Sequence, residues 1–140
     1  MNNPVRIKNG KKEIFDPIRK RFVSYTPEEI VRQTYIHYLM NVLQIPSIAI
    51  SVERKITYNK LSRRYDIVVF HKDICLLIVE CKAFSVELSE NTLHQIGVYN
   101  SCLQAKYIVL FNGKQELIYK KIDNHYTLQE QLPPYKEMIN

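Results

Sequence analysis

Residues 74–82 read Ile74-Cys75-Leu76-Leu77-Ile78-Val79-Glu80-Cys81-Lys82, a run of six apolar side chains that ends in charge. Apolar character without alternation predicts a strand covered on both faces, as at the centre of an α/β sheet. Just upstream, Tyr65 to Phe70 forms a second largely apolar run, separated from the first by His71-Lys72-Asp73. A three-residue turn between two buried strands predicts an antiparallel central hairpin. Glu80 stands inside the second strand, Lys82 follows on the same face, and Asp66 opens the partner strand. A turn centred near Lys72 or Asp73 puts Asp66 opposite Glu80 or one diagonal step away, with the carboxylates ~5–8 Å apart.

Outward from this hairpin, Ile48, Ile50, Val52, Arg54, Ile56 and Tyr58 alternate with Ala49, Ser51, Glu53, Lys55 and Thr57, which predicts a strand with one buried face. Asn59 to Arg64 reads as a polar, basic connection. Thr26-Pro27-Glu28-Glu29 is a helix start, with a Thr N-cap, Pro at the first helical position and Glu three residues after the cap. That helix is expected to reach about Leu43 and to bury Val31, Tyr35, Tyr38, Leu39 and Val42. A second helix is expected from Ser89 to about Gln104, with Leu93, Ile96, Tyr99 and Leu103 inward. Tyr107 to Phe111 reads as a buried strand, Asn112-Gly113 as a hairpin turn, and Glu116 to Ile122 as the returning strand. Ile14-Phe15 and Phe22-Val23 around Asp16-Pro17 suggest a hairpin or extended arm, and the tail from Leu132 a surface segment. The expected fold class is an α/β sandwich, a mixed central sheet flanked by helices. Its parts are a basic arm or hairpin over 1–25, one domain over 26–131 and a tail over 132–140.

The 140 residues are 46% apolar and 24% charged, which suits one packed domain and excludes disorder. No apolar run approaches the ~20 residues of a membrane span. The polar N-terminus lacks the h-region of a secretion signal. Three Cys without a C-x-x-C pair (Cys75, Cys81, Cys102) argue against disulfides and cysteine-held zinc, and so for a reducing, cytoplasmic setting. Three Gly in total exclude a phosphate-binding P-loop and a dinucleotide fingerprint, so no nucleotide cofactor is expected. The net charge of +6 is local: residues 1–24 hold seven bases, Arg19, Lys20 and Arg21 among them, against two acids. Such a patch attracts polyanions, or simply solvates an arm.

Two carboxylates beside apolar strands are each desolvated and repel one another, and Lys82 can neutralise only one. A divalent cation would complete the arrangement, because Mg²⁺ takes oxygen ligands and is commonly held by one or two carboxylates. The plainer alternative is a Glu80–Lys82 or Asp66–Lys82 ion pair at a strand end. Gln95 and Tyr99, four apart, share a helix face, which alone is a surface amide and a core tyrosine. Glu28 is expected to project toward the sheet from the first helix, and Glu29 to point away and close the capping box. Arg63 and Arg64 precede Asp66, placed for a phosphate backbone or for a solvated loop.

Asp66, Glu80-x-Lys82 and Gln95-x-x-x-Tyr99, in that order, resemble the PD-(D/E)xK nuclease superfamily in its Q-x-x-x-Y branch. More closely, the chain is similar to the N-terminal nuclease domain of the type I restriction enzyme R subunit. The likeness runs from about Asp16 to Ile122 through Asp16-Pro17-Ile18-Arg19-Lys20, Thr26 to Gln33, Arg64 to Val68, Val79 to Ala83 and Asn112-Gly113. It implies a restriction-endonuclease-like fold and a DNA phosphodiesterase dependent on Mg²⁺ or Mn²⁺. Asp66, Glu80 and the carbonyl of Cys81 would hold the metal, and Lys82 would assist the attacking water. Gln95 and Tyr99 would line the site, and Glu28 would be an accessory acid. Arg63, Arg64, Arg19, Lys20 and Arg21 would meet DNA. Implied partners are DNA, a separate motor or specificity subunit, and a homodimer for cutting both strands, with no membrane. A non-catalytic DNA-binding or assembly module with the same fold is the alternative, and RNA as substrate stays open.

Overall fold

The computed structural model describes residues 2–58, 60–93 and 104–140. Its centre is a six-stranded sheet in the order β4-β5-β6-β7-β8-β9. The strands are β4 (Ile50–Tyr58), β5 (Leu61–His71), β6 (Ile74–Cys81), β7 (Tyr107–Phe111), β8 (Glu116–Ile122) and β9 (His125–Gln129). Neighbours are antiparallel except β6 and β7, which run parallel. The sheet is therefore mixed, as expected from the sequence. Parallel pairing at its middle needs a crossover, which the chain between β6 and β7 provides.

The apolar runs become the inner strands because both faces are covered. On one face Ile67, Val69, Leu77, Val79 and Val109 pack with Val31, Tyr35, Ile36 and Leu39 of α1 (Pro27–Asn41). On the other, Val68, Ile78, Ile108 and Leu110 pack with Leu93 and Ala105. Leu93 closes a helical turn that Ser89 caps by accepting from the Thr92 N–H. The expected continuation of that helix, with Gln95, Ile96, Tyr99 and Leu103, lies outside the described residues.

Several local expectations are corrected. The β5–β6 turn has two residues, Lys72 and Asp73, both left-handed at φ 47° and 65°, the pattern of a type I′ hairpin. Leu61–Arg64 is not a connection but the start of β5, paired with β4 from Tyr58↔Leu61 onward. α1 stops at Asn41, so Val42 is exposed while Leu43 and Ile45 turn into the core. A 3₁₀ turn at Ser47–Ala49 throws Ile48 out to 95% exposure. In the N-terminal segment the hairpin expected around Asp16-Pro17 is present, and a further strand extends it to a docked three-stranded sheet. Its strands are β1 (Val5–Lys8), β2 (Lys11–Asp16) and β3 (Arg21–Ser24). Asn3 ties it to α1 by donating to Gln33 Oε1 (2.9 Å), and Ile18 packs on the main core. The tail is not a surface strap either. Leu132 and Met138 are buried, α2 (Tyr135–Met138) follows Pro133-Pro134, and the Tyr135 N–H donates to Leu43 O.

Candidate active site

The pairings Ile67↔Val79, Val68↔Ile78 and Val69↔Leu77 fix the hairpin register, and one step further Asp66 stands opposite Glu80. The two-residue turn by itself would set Asp66 opposite Val79; the register shift between Val69 and Phe70, which passes over Leu76, brings Glu80 opposite it instead. On the other side Val52↔Ile67 and Arg54↔Tyr65 leave Glu53 abreast of Asp66. The ladder lapses there, because Glu53 is left-handed at φ 55°. Three acids therefore stand in a row across β4, β5 and β6.

Asp66 is held at both oxygens. Oδ2 accepts from the Cys81 N–H (2.8 Å), and Oδ1 from Arg32 Nη2 (3.0 Å). The same Nη2 donates to Glu53 Oε1 (2.7 Å). Arg32 Nη1 reaches Glu29 Oε1 (2.9 Å), which also accepts from Arg19 Nη2 (2.6 Å), and Arg19 Nε closes the chain on buried Asp16. Glu80 differs. It is buried, Oε1 accepts no hydrogen bond among the described residues, and Arg63 Nη2 stands 3.5 Å away as an ion pair. Burial, and next the Asp66 charge, push the Glu80 carboxyl up to about 7, opposed by Arg63 and Lys82. The buried Cys81 thiol is likewise raised, first by desolvation and then by Asp66, with a smaller push from Glu28.

Lys82 is half-buried, its N–H donates to Phe111 O, and its ammonium makes no hydrogen bond or ion pair among the described residues. Glu28 and Glu29 exchange their expected roles. Glu29 is the inward, buried acid, and its carboxylate serves the arginines rather than a capping box, although Thr26 Oγ1 does cap its N–H. Glu28 is exposed, with its charge still felt at Cys81. Arg19 is committed to Asp16 and Glu29, which leaves Lys20 and Arg21 as the exposed bases of that corner. Arg64 is exposed, 3.7 Å from Glu53, and Arg63 lies over Tyr65. Gln95 and Tyr99 are outside the described residues.

Arg32, Glu29 and Glu53 are the site residues that sequence reasoning missed. Glu29, Arg32, Gln33 and Ile36 follow helical spacing and are all buried, so polar residues on the apolar stripe were the available signal. Glu53 carried none, since alternation alone sets it against solvent. Beside these residues opens a cleft of about 430 Å³, lined by Arg19, Arg21, Phe22, Glu29, Arg32 and Glu53 among others.

Among the described residues no group of three His, Cys, Asp or Glu side chains is placed to hold a metal. The donors on offer are the Asp66 and Glu80 carboxylates, with the hydrogen-bond-free Glu80 Oε1 between burial and repulsion. Two hard oxygen donors, completed by water, fit Mg²⁺ or Mn²⁺.

The family model described as Type I restriction enzyme R protein N terminus matches residues 27–133. The chain belongs to this family. The match starts at the first residue of α1 and takes in Glu29, Arg32, Glu53, Asp66, Glu80 and Lys82, while β1–β3 of this R-protein domain precede it. A search of curated proteins finds no match. Among the described residues of this R-protein N-terminal domain, no helix is long and apolar enough to cross a membrane.

Proposed function

We propose that this R-protein N-terminal domain is a Mg²⁺- or Mn²⁺-dependent nuclease of the PD-(D/E)xK kind that hydrolyses DNA phosphodiester bonds. The observation that carries the reading is the adjacent Asp66 and Glu80, with Glu80 buried, its Oε1 free of hydrogen bonds among the described residues, and Lys82 two residues on. Asp66 and Glu80 would hold the cation, with the main-chain carbonyl of Cys81. Bound there, it would supply Lewis acidity toward the phosphodiester and lower the pKa of water. Lys82 carries an uncommitted ammonium, suited to orient the attacking water and offset charge on a phosphoryl oxygen. Arg64, Lys20 and Arg21 are exposed cations for backbone phosphates, and such contacts position DNA without reading sequence. Gln95, Tyr99 and Glu28 would complete the site, and a motor or specificity subunit or a second copy would deliver or share the DNA.

One observation favours the alternative, a DNA-binding or assembly module: Arg32 pairs with Asp66 and offsets its charge. Plasmid nicking with Mn²⁺, together with Mn²⁺ calorimetry, separates the two. The nuclease reading expects Lys82→Ala to lower cleavage on the order of 100-fold or more while keeping its fold, and Asp66→Asn to lose the calorimetric signal. Equal nicking by wild type and Lys82→Ala, or no heat with wild type, would leave the binding module.

A further inference from the structure

We propose that Arg32 is the positioning residue of this site, a guanidinium that holds the Asp66 carboxylate in place from α1, anchored by Glu53 on β4. The inference rests on the reading of Asp66 as a metal-holding carboxylate. Asp66 is gripped from two elements, at Oδ1 by Arg32 Nη2 (3.0 Å) and at Oδ2 by the Cys81 N–H (2.8 Å). Each carboxylate oxygen has two lone pairs, so two donors fix its plane and still leave acceptor capacity toward Glu80. The same Nη2 also donates to Glu53 (2.7 Å), and Nη1 to Glu29 (2.9 Å).

Two costs show that the guanidinium is aimed rather than merely neutralised. Arg32 Nε is buried with no hydrogen-bond partner among the described residues. Glu53 adopts φ 55°, a left-handed conformation uncommon for a residue other than glycine, where the β4–β5 ladder lapses. Strain of that kind persists where surrounding structure over-determines it. The three acids Glu53, Asp66 and Glu80 sit on neighbouring strands about 4.8 Å apart. The guanidinium compensates the first two and leaves Glu80 as the exception. A planar fork is needed, because a lysine ammonium is a point charge that cannot reach Glu29, Glu53 and Asp66 together.

Amide hydrogen exchange at Cys81 in the metal-free full chain tests the clamp, since that N–H is bonded to Asp66. The neighbouring Lys82 N–H, bonded to Phe111 O (2.8 Å), serves as control. In Arg32→Lys the Cys81 amide should exchange at least tenfold faster with Lys82 unchanged, and Mn²⁺ affinity by calorimetry should fall about tenfold. Glu53→Gln should move both readouts the same way by about threefold. Its side chain is 35% exposed, so it decides the matter if Arg32→Lys unfolds. Wild-type exchange at Cys81 in the folded variants overturns the proposal, as does a change shared equally by Lys82. Faster Cys81 exchange in a protein whose wild type binds no Mn²⁺ upholds the clamp and sinks the nuclease reading instead.

Discussion

Glu29 and Glu80 are nearly equally buried carboxylates, 6% and 8% exposed, yet they solve the cost of burial in opposite ways. Glu29 accepts from Arg19, Arg32 and Gln33 at 2.6, 2.9 and 3.2 Å. Glu80 has a longer ion pair to the partly exposed Arg63 and no hydrogen bond at Oε1, and its carboxyl is pushed up to about 7. A buried charge must be paired or lose its charge. Pairing at Glu29 makes a rigid joint between the N-terminal sheet and α1. At Glu80 the weak pairing, one long contact to Arg63, leaves a group with capacity for a cation or a proton. The difference separates a carboxylate that holds shape from one that is open to a ligand.

The sharpest challenge to this contrast is Glu29→Ala, which strands Arg32 and Arg19 without their shared acceptor. Breaking a buried pair costs about 3–5 kcal/mol, to be read from urea unfolding. A loss below about 1 kcal/mol would show that the joint contributes little. Glu80→Gln should act in the other direction. The folded-state pKa of Glu80 lies above its ordinary value, so its protonation favours folding, and that contribution is lost as pH rises through about 7. At pH 8 without metal, Glu80→Gln should therefore be more stable than wild type by on the order of 2 kcal/mol, with the gain vanishing near pH 4.5. Thermal unfolding across that range reads the sign, and a destabilised variant at pH 8 would mean that Glu80 is better paired than its geometry indicates. Smallest is Arg64→Ala: its contact with Glu53 is long and exposed, so stability should move by less than about 0.5 kcal/mol. DNA affinity should nonetheless weaken, and the log–log salt slope should drop by about 1. An unchanged slope would remove Arg64 from the DNA face.

β6 and β7 were legible because their composition demands cover on both faces, and β8 because Asn112-Gly113 turns the chain back; all three coincide with the ranges expected from the sequence. The start of α1 was legible for a local reason too, since Thr26 and Pro27 act within one turn. What escaped were β1, β9 and the buried tail, short segments of mixed polarity whose order depends on neighbours already in place. Val42 and Ile48 misled in the opposite sense, as apolar residues left outside by where the helix ends and the 3₁₀ turn falls. Asp66 and Glu80 could be expected near one another because a short turn joins their strands, but their direct opposition depends on the register shift at Val69 and Phe70, which alternation and turn residues do not announce. Arg32 could not be assigned to Asp66, which lies 34 residues along the chain.

Hydrophobic burial responds to the makeup of a short stretch, so the amino-acid order was enough to mark which strands lie inside and which acids they carry. Which cation meets which acid is a matter of distances of about 3 Å through space. The packing of α1 and the N-terminal sheet against the hairpin set those distances, supplying Glu29 with two arginines and leaving Glu80 with one long contact.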